Sequence, residues 1–469
     1  MRTLPLRVQP IQGEALDSWL EALAARMQCA WGDLLVGVGL PAGRSRSYTG
    51  GWLIAPSEQQ LESMSFVTGQ SPSAINAMVL SRITRALGCP NIAVESVESM
   101  IWLSKRRSRF CPSCLGENGG RWLLTWRMRW SFACLRHNCL LADACPACQS
   151  LQRAVPASVA LIPVPGFCAH KLLGCHGRRV TRCGTELSIA PVLQLAGDHP
   201  ILAAQQMIDA AVSAGVVHTG LYGRAPVPLS ALIADLCALG GRILRYPNLD
   251  ELRRLTSDAV IAEFLIAREE AAFSYRGVTA DSSAVASGIA AAAAGSILSA
   301  ADPAEAAGRM RWLIAFNRRH GLSVSATNIG WGRGISATLR SAQLFALSSY
   351  LSASDKLRYR THSPPPRRPH PRSAPERARW LPSLLWPPLC LSVRCDGVGF
   401  GQVRSALAVA VVLVGSRISL SAAAELLGSA TSARAASRVL QLIGCSSNAA
   451  EVWRTLGALA DQLDAERAP

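Results

Sequence analysis

Cys111-Pro112-Ser113-Cys114, Cys134-Leu135-Arg136-His137 and Cys145-Pro146-Ala147-Cys148, followed by Cys168 and Cys183, decide how this chain is read. The first pair of cysteines is separated by two residues, as are Cys134 and His137, and the 19 residues 115–133 lie between the pairs. A two-residue gap lets both side chains of a knuckle turn face one ion. Three thiolates and one imidazole fill zinc's tetrahedral shell and leave no open position for a catalytic water. Cys111, Cys114, Cys134 and His137 are therefore expected to form a closed structural zinc site. Cys145 and Cys148 repeat the device, and another 19 residues, 149–167, lead to Cys168. Cys183 is favoured as the fourth ligand because Gly184 follows it, with His170, Cys175 and His176 as nearby alternatives. Cys139 falls between the two sets as a spare thiol. Two structural zinc ions are expected, and such ions supply folding free energy outright.

Composition agrees with a folded, reduced protein. The chain has 469 residues, 49% of them hydrophobic, enough for two to four domains. Of the fifteen cysteines nine crowd into residues 111–183, two close pairs among them, which suits metal better than disulfides. Met1-Arg2-Thr3-Leu4-Pro5-Leu6-Arg7 is interrupted before any apolar run forms, so no signal peptide is expected and the protein is read as cytoplasmic. The apolar stretches 289–297 and 406–414 fall short of the roughly 20 residues a membrane span needs. They read as buried helices, with no membrane partner.

The net charge of +17 and a pI near 9.7 favour a polyanionic partner. Residues 101–183 hold 13 Lys and Arg against 2 acids, a net +11. Within that segment Lys105, Arg106, Arg107, Arg109, Arg127 and Arg129 are candidate DNA contacts. Trp122, Trp126, Trp130 and Phe132 alternate with arginines and fit either base stacking or, preferably, the small core of a zinc module.

Elsewhere the pattern is helical. Leu16, Trp19, Leu20, Leu23 and Ala24 recur at helix spacing, and Asp33, Leu34, Leu35 and Val38 follow as a second helix. A helix through Leu61, Met64 and Phe66, the turn Gly69-Gln70-Ser71-Pro72 and a helix through Ile75, Met78 and Leu80 fit either a helix-turn-helix or an ordinary hairpin. The same two readings hold for the stretch from Leu420 to Gly428 and the helix after Thr431, whose Arg434 and Arg438 are candidate DNA contacts. Gly330-Trp331-Gly332-Arg333-Gly334 lacks the ending of a phosphate loop. Pro364-Pro365-Pro366-Arg367-Arg368-Pro369 marks an extended linker. The expected fold is mainly α: helical bundles with helix-turn-helix-like units around two small zinc modules. The expected domains are 1–100 (helical), 101–190 (zinc modules), 191–360 (helical), 361–379 (linker) and 380–469 (C-terminal helical).

Leu4-Pro5-Leu6-Arg7 with Gly13-Glu14-Ala15-Leu16-Asp17-Ser18-Trp19-Leu20, the run Phe110 to Leu115, Gly119-Gly120-Arg121-Trp122, Trp130 to Cys134, Arg136-His137, Cys145 to Cys148, and Arg182 to Leu187 together resemble the TniQ/TnsD family of transposon target-selection proteins over roughly residues 4–187. Asn138-Cys139 after His137, and Gln149 where glycine is expected, depart from its pattern. The resemblance implies a protein without its own chemistry. It helps choose a transposition target by binding DNA or joining a recognition complex, and it recruits an AAA+ ATPase regulator that leads to the transposase; self-association is compatible with this role. A zinc-containing DNA-binding transcription regulator is the alternative. A metal-dependent nucleic-acid enzyme ranks below both, because no His-x-Glu arrangement accompanies the ligands.

Overall fold

The apolar stripe Leu16, Trp19, Leu20, Leu23 and Ala24 is buried along helix α1 (Leu16–Met27). The helix stops at Gln28, which takes the left-handed conformation at φ 53° and returns its amide to Ala24 and Ala25. α2 (Trp31–Gly37), α3 (Gly51–Ile54), α4 (Glu58–Thr68), α5 (Pro72–Ala77) and α6 (Ser81–Ala86) follow. Trp19, Leu35, Leu53, Met64, Val67 and Ile75 close one core between them.

The computed structural model describes residues 3–41, 51–87, 107–154, 158–172, 181–272, 283–321, 335–361, 373–393 and 395–465. Lys105, Arg106, Cys175, His176, residues 330–334 and residues 362–372 lie outside them. The chain divides into two compact units, Met1–Val217 with Val227–Gly295, and His218–Pro226 with Ser296–Pro469. Among the described residues no helix is long and apolar enough to cross a membrane.

The N-terminal pair, read as either a helix-turn-helix or an ordinary hairpin, consists of α4 and a short α5. α4 opens on a capping box between Ser57 and Gln60 and ends at Gly69, φ 72°. Ser71 caps α5, but that helix has six residues and ends before Met78 and Leu80. This is under two turns. Along α4 Met64 is buried and Phe66 exposed.

The first unit continues through α7 (Pro112–Glu117) and the antiparallel pair β1 (Ala133–Cys134) and β2 (Cys139–Leu140). α8 (Pro200–Ala214), the pair β3 (Val216–Val217) and β4 (Val227–Pro228), α9 (Leu229–Arg245), α10 (Leu249–Leu255), α11 (Asp258–Ala272) and α12 (Ala284–Leu298) complete it. The alanine-rich α12 is a close-packed helix, as its composition suggests. A Cβ at Gly288 would lie 3.1 Å from Ile201 and 3.4 Å from Phe132. The buried Gln205 side chain of α8 accepts hydrogen bonds from the amides of Phe132 (2.9 Å) and Ala133 (3.3 Å), which fixes the approach to β1.

In the second unit α13 (Pro303–Arg319) packs on α14 (Ala337–Leu347). α15 (Ala353–Arg358), α16 (Ser373–Ala378), α18 (Leu420–Leu426), α19 (Ala433–Cys445) and α20 (Ala449–Ala465) surround α17 (Phe400–Leu413). From Ser405 to Leu413 every residue of α17 is buried, as an all-apolar helix must be. Its last carbonyls are therefore cut off from water, and Arg377 donates to those of Val411 and Val414 while pairing with Asp464. Arg377 and the buried Ala374 belong to α16, at the end of the stretch expected as a linker.

Candidate metal centres

The first centre begins as a helix start. Cys111 is the N-cap of α7, its sulfur accepting from the amide of Cys114 at 3.5 Å, and Pro112 occupies the first helical position, where no amide is needed. Cys134 comes from β1, and His137 from the turn that joins it to β2, where Asn138 takes φ 46°. One atom of each of Cys111, Cys114, Cys134 and His137 lies within 4.8 Å of the others. His137 Nδ1 is 3.4, 3.3 and 3.5 Å from the sulfurs of Cys111, Cys114 and Cys134, and the Cys114 and Cys134 sulfurs are 3.7 Å apart.

The second centre draws Cys145 and Cys148 from a tight turn. Cys168 and Cys183 come from two antiparallel segments in which Phe167 bridges Glu186 and Lys171 bridges Arg182. Cys145 and Cys183 sulfurs are 3.7 Å apart, and those of Cys148 and Cys168 are 3.6 Å apart. Gly184 is left-handed at φ 66°, and so is Gln149 at φ 54°. Among the described residues, Cys183 is the thiol that joins the other three. His170 instead accepts from the Cys183 amide through its carbonyl, at 2.9 Å.

These edges fit a metal. A tetrahedron with metal–sulfur bonds of about 2.3 Å has sulfur–sulfur edges of about 3.8 Å, and sulfur–nitrogen edges near 3.5 Å. The spacing is far longer than the ~2.05 Å of a disulfide. Each cluster can hold one metal ion, and each offers four protein ligands. The thiolate is the binding form, and the cluster thiols divide: Cys111, Cys134 and Cys183 are lowered toward it, while Cys114 is raised by hydrogen bonding with Cys111 and Cys134, and Cys145 and Cys168 by burial. Hydrogen bonding, foremost with Cys114, lowers Cys111 to about 7. Burial pushes Cys183 up, but the hydroxyl and amide of Thr185 and the neighbouring thiols outweigh it and bring Cys183 to about 7. Glu117, on the same helix as Cys111 and Cys114, accepts from His137 Nε2 at 3.0 Å. That bond places the proton on Nε2 and leaves Nδ1 free to ligate.

A set of carboxylates that residue spacing did not single out ties the first centre to α1. Glu14 and Asp17 are 0% and 1% exposed. Glu14 accepts from Arg121 at 2.7 and 2.5 Å, from Ser18 at 3.0 Å and from the Ile11 amide at 3.0 Å. Asp17 pairs with both Arg127 and Arg153, and Arg153 reaches on to Glu21 at 2.5 Å. Ser18 accepts from the Trp122 amide at 2.8 Å, and Glu14 bridges Leu123. The aromatic residues Phe110, Trp122, Trp126, Trp130 and Phe132 are all buried, with Trp122 between Phe110 (5.4 Å) and Trp126 (5.8 Å). Gly120, at φ 80°, meets the backbone of Pro165 and Gly166 so closely that any Cβ would clash at 2.3 Å. That contact joins the two metal modules.

The candidate DNA-contacting arginines divide by exposure. Arg127 is 1% exposed and Arg109 3%. Arg109 donates to Asp143 (2.9 Å), to the carbonyls of Arg129 (2.9 Å) and Ser131 (2.7 Å), and to Ser287 (2.9 Å). Asp143 in turn accepts from the Ala284 amide at 2.7 Å, at the start of α12. Arg107 is also buried, whereas Arg129, Arg434 and Arg438 are exposed.

The buried Glu14-Ala15-Leu16-Asp17-Ser18-Trp19 helix start, locked to an arginine-bearing Cys/His module, sits inside the span residues 5–141, which matches the TniQ family. Residues 5–141 of this chain are similar to the TniQ domain. That similarity associates this part of the chain with transposition. The match takes in α1 to β2 and the first cluster and stops before Cys145, so the second cluster rests on its own geometry. No curated protein matches the chain.

Proposed function

We propose that this protein is a non-catalytic, zinc-stapled adaptor for choosing transposition targets, which associates with DNA and recruits an AAA+ ATPase regulator and transposase. The observation that carries the reading is the closure of both clusters. Four protein ligands in each saturate a tetrahedral ion. Zinc is the natural occupant of a set of three thiolates with one imidazole and of an all-thiolate set of four, and there it would cross-link the chain rather than activate water. The eight ligands are Cys111, Cys114, Cys134, His137, Cys145, Cys148, Cys168 and Cys183. Direct DNA contact is assigned to the exposed Arg129, Arg434 and Arg438 together with Lys105 and Arg106, while Arg107, Arg109 and Arg127 brace the fold. The C-terminal trio α17, α18 and α19 supports this: α19 buries Ala436, Val439, Leu440 and Ile443 and turns Arg434 and Arg438 outward.

The test is co-purification of the tagged chain with a transposon AAA+ ATPase, alongside metal analysis. Two zinc ions per chain and retention of the ATPase are expected. A chain that regulates transcription alone, with no ATPase bound, would replace this reading.

A further inference from the structure

Cys139 is the cysteine of the first module that the four-ligand set leaves over. Its Sγ lies 3.9 Å from that of Cys111, close to the 3.7 Å that separates the Cys114 and Cys134 sulfurs. It stands directly opposite Cys134 in the β1–β2 pair, which places both side chains on one face of the hairpin. The backbone around it is fixed from the other side, with Cys139 bridging Gln194 and the Leu140 amide donating to Leu193 at 2.9 Å. Cys139 is fully buried. His137, by contrast, stands on a turn that closes through left-handed Asn138, with its side chain 17% exposed and anchored by a Glu117 that is itself 44% exposed. The cluster therefore has a dry thiol behind it and a wetter imidazole in front.

We infer that Cys139 is a reserve ligand of the first centre, giving Cys111, Cys114, Cys134 and Cys139 as a second, all-thiolate set suited to soft divalent ions. The inference rests on the reading that the centre holds a metal. Thiolate sets select soft ions over borderline ones, so a soft ion should draw in the thiol where zinc keeps the imidazole. Exchange breaks one bond, that of His137 Nδ1, forms one to the Cys139 sulfur, and releases the Cys139 thiol proton to solvent. The set also protects the module, because loss of His137 then leaves four ligands.

Cadmium is the probe. The full-length chain loaded with 113Cd is expected to bind two ions, both resonating in the all-thiolate range, while Cys139→Ser returns one signal to the three-thiolate, one-nitrogen position. With zinc, His137→Ala is expected to keep two ions per chain and His137→Ala/Cys139→Ser to keep one. Identical 113Cd spectra for the wild type and Cys139→Ser would overturn the inference, as would a single zinc on both His137 variants. Should His137→Ala fail to fold, the cadmium comparison decides alone. Fewer than two ions on the wild-type chain would overturn the metal reading, and this inference with it. Two ions with no effect of Cys139 would overturn this inference only.

Discussion

At the scale of single residues, position within the cluster sets the cost of change. Glu117 orients His137 without touching the cluster sulfurs, and its other oxygen pairs with the exposed Arg136 at 2.9 Å. Glu117→Ala is expected to weaken zinc at the first centre about 10- to 100-fold while leaving the second unchanged. Competition with a chromophoric chelator measures this. Gln149 occupies a left-handed position that glycine would take without strain. Gln149→Val, with a β-branched side chain there, should lower stability by about 1–3 kcal/mol and loosen the second centre, whereas Gln149→Gly should be tolerated. Thermal melts of the zinc-loaded variants distinguish the two.

Among the elements, α1 and the first metal module form one folding unit. Three acids in and just before α1, Glu14, Asp17 and Glu21, meet three arginines of the metal segment, Arg121, Arg127 and Arg153. Burial pushes the Glu21 carboxyl up, against the opposing pull of the Arg153 guanidinium. Removing one member of a buried pair strands the other charge in a medium that solvates it poorly. Asp17→Ala removes the buried carboxylate that Arg127 and Arg153 share, and a loss of about 3–5 kcal/mol is expected in denaturant unfolding of the zinc-loaded chain. A loss below about 1 kcal/mol would show that water reaches the pair.

For the whole molecule, charge and metal act on different parts. Residues 101–183 carry a net +11, but Arg109, Arg121, Arg127 and Arg153 are turned inward onto acids. The DNA-facing charge is thus smaller than composition suggests. DNA affinity is expected to fall steeply with salt, and Arg434→Ala/Arg438→Ala to reduce the log–log slope by about two. Titrations at several salt concentrations give that slope. Both Cys/His clusters lie in the first unit. Stripping the metal with a strong chelator should melt helices of that unit while α17 and its neighbours persist, which hydrogen exchange resolves segment by segment.

The sequence alone determined what local spacing can determine. Two-residue gaps identify knuckles, so the first ligand set and the pair Cys145 and Cys148 were legible. The stripe from Leu16 to Ala24 identified α1, and the run 406–414 a buried helix. Gly184 pointed to Cys183, since a left-handed turn after a ligand favours glycine, while Gln149 hid the same conformation at the other knuckle. Spacing could not pair Glu14 or Asp17 with arginines a hundred residues away, because such contacts have no period. Nor could it separate Arg127 from Arg129, which are two residues apart and differ only in which way the short helical turn 124–127 and its exit point them. Only the tertiary structure decided which charges are neutralised within the protein and which remain for a partner. The reason is physical: desolvation and pairing depend on distance through space, and the chain records only distance along itself.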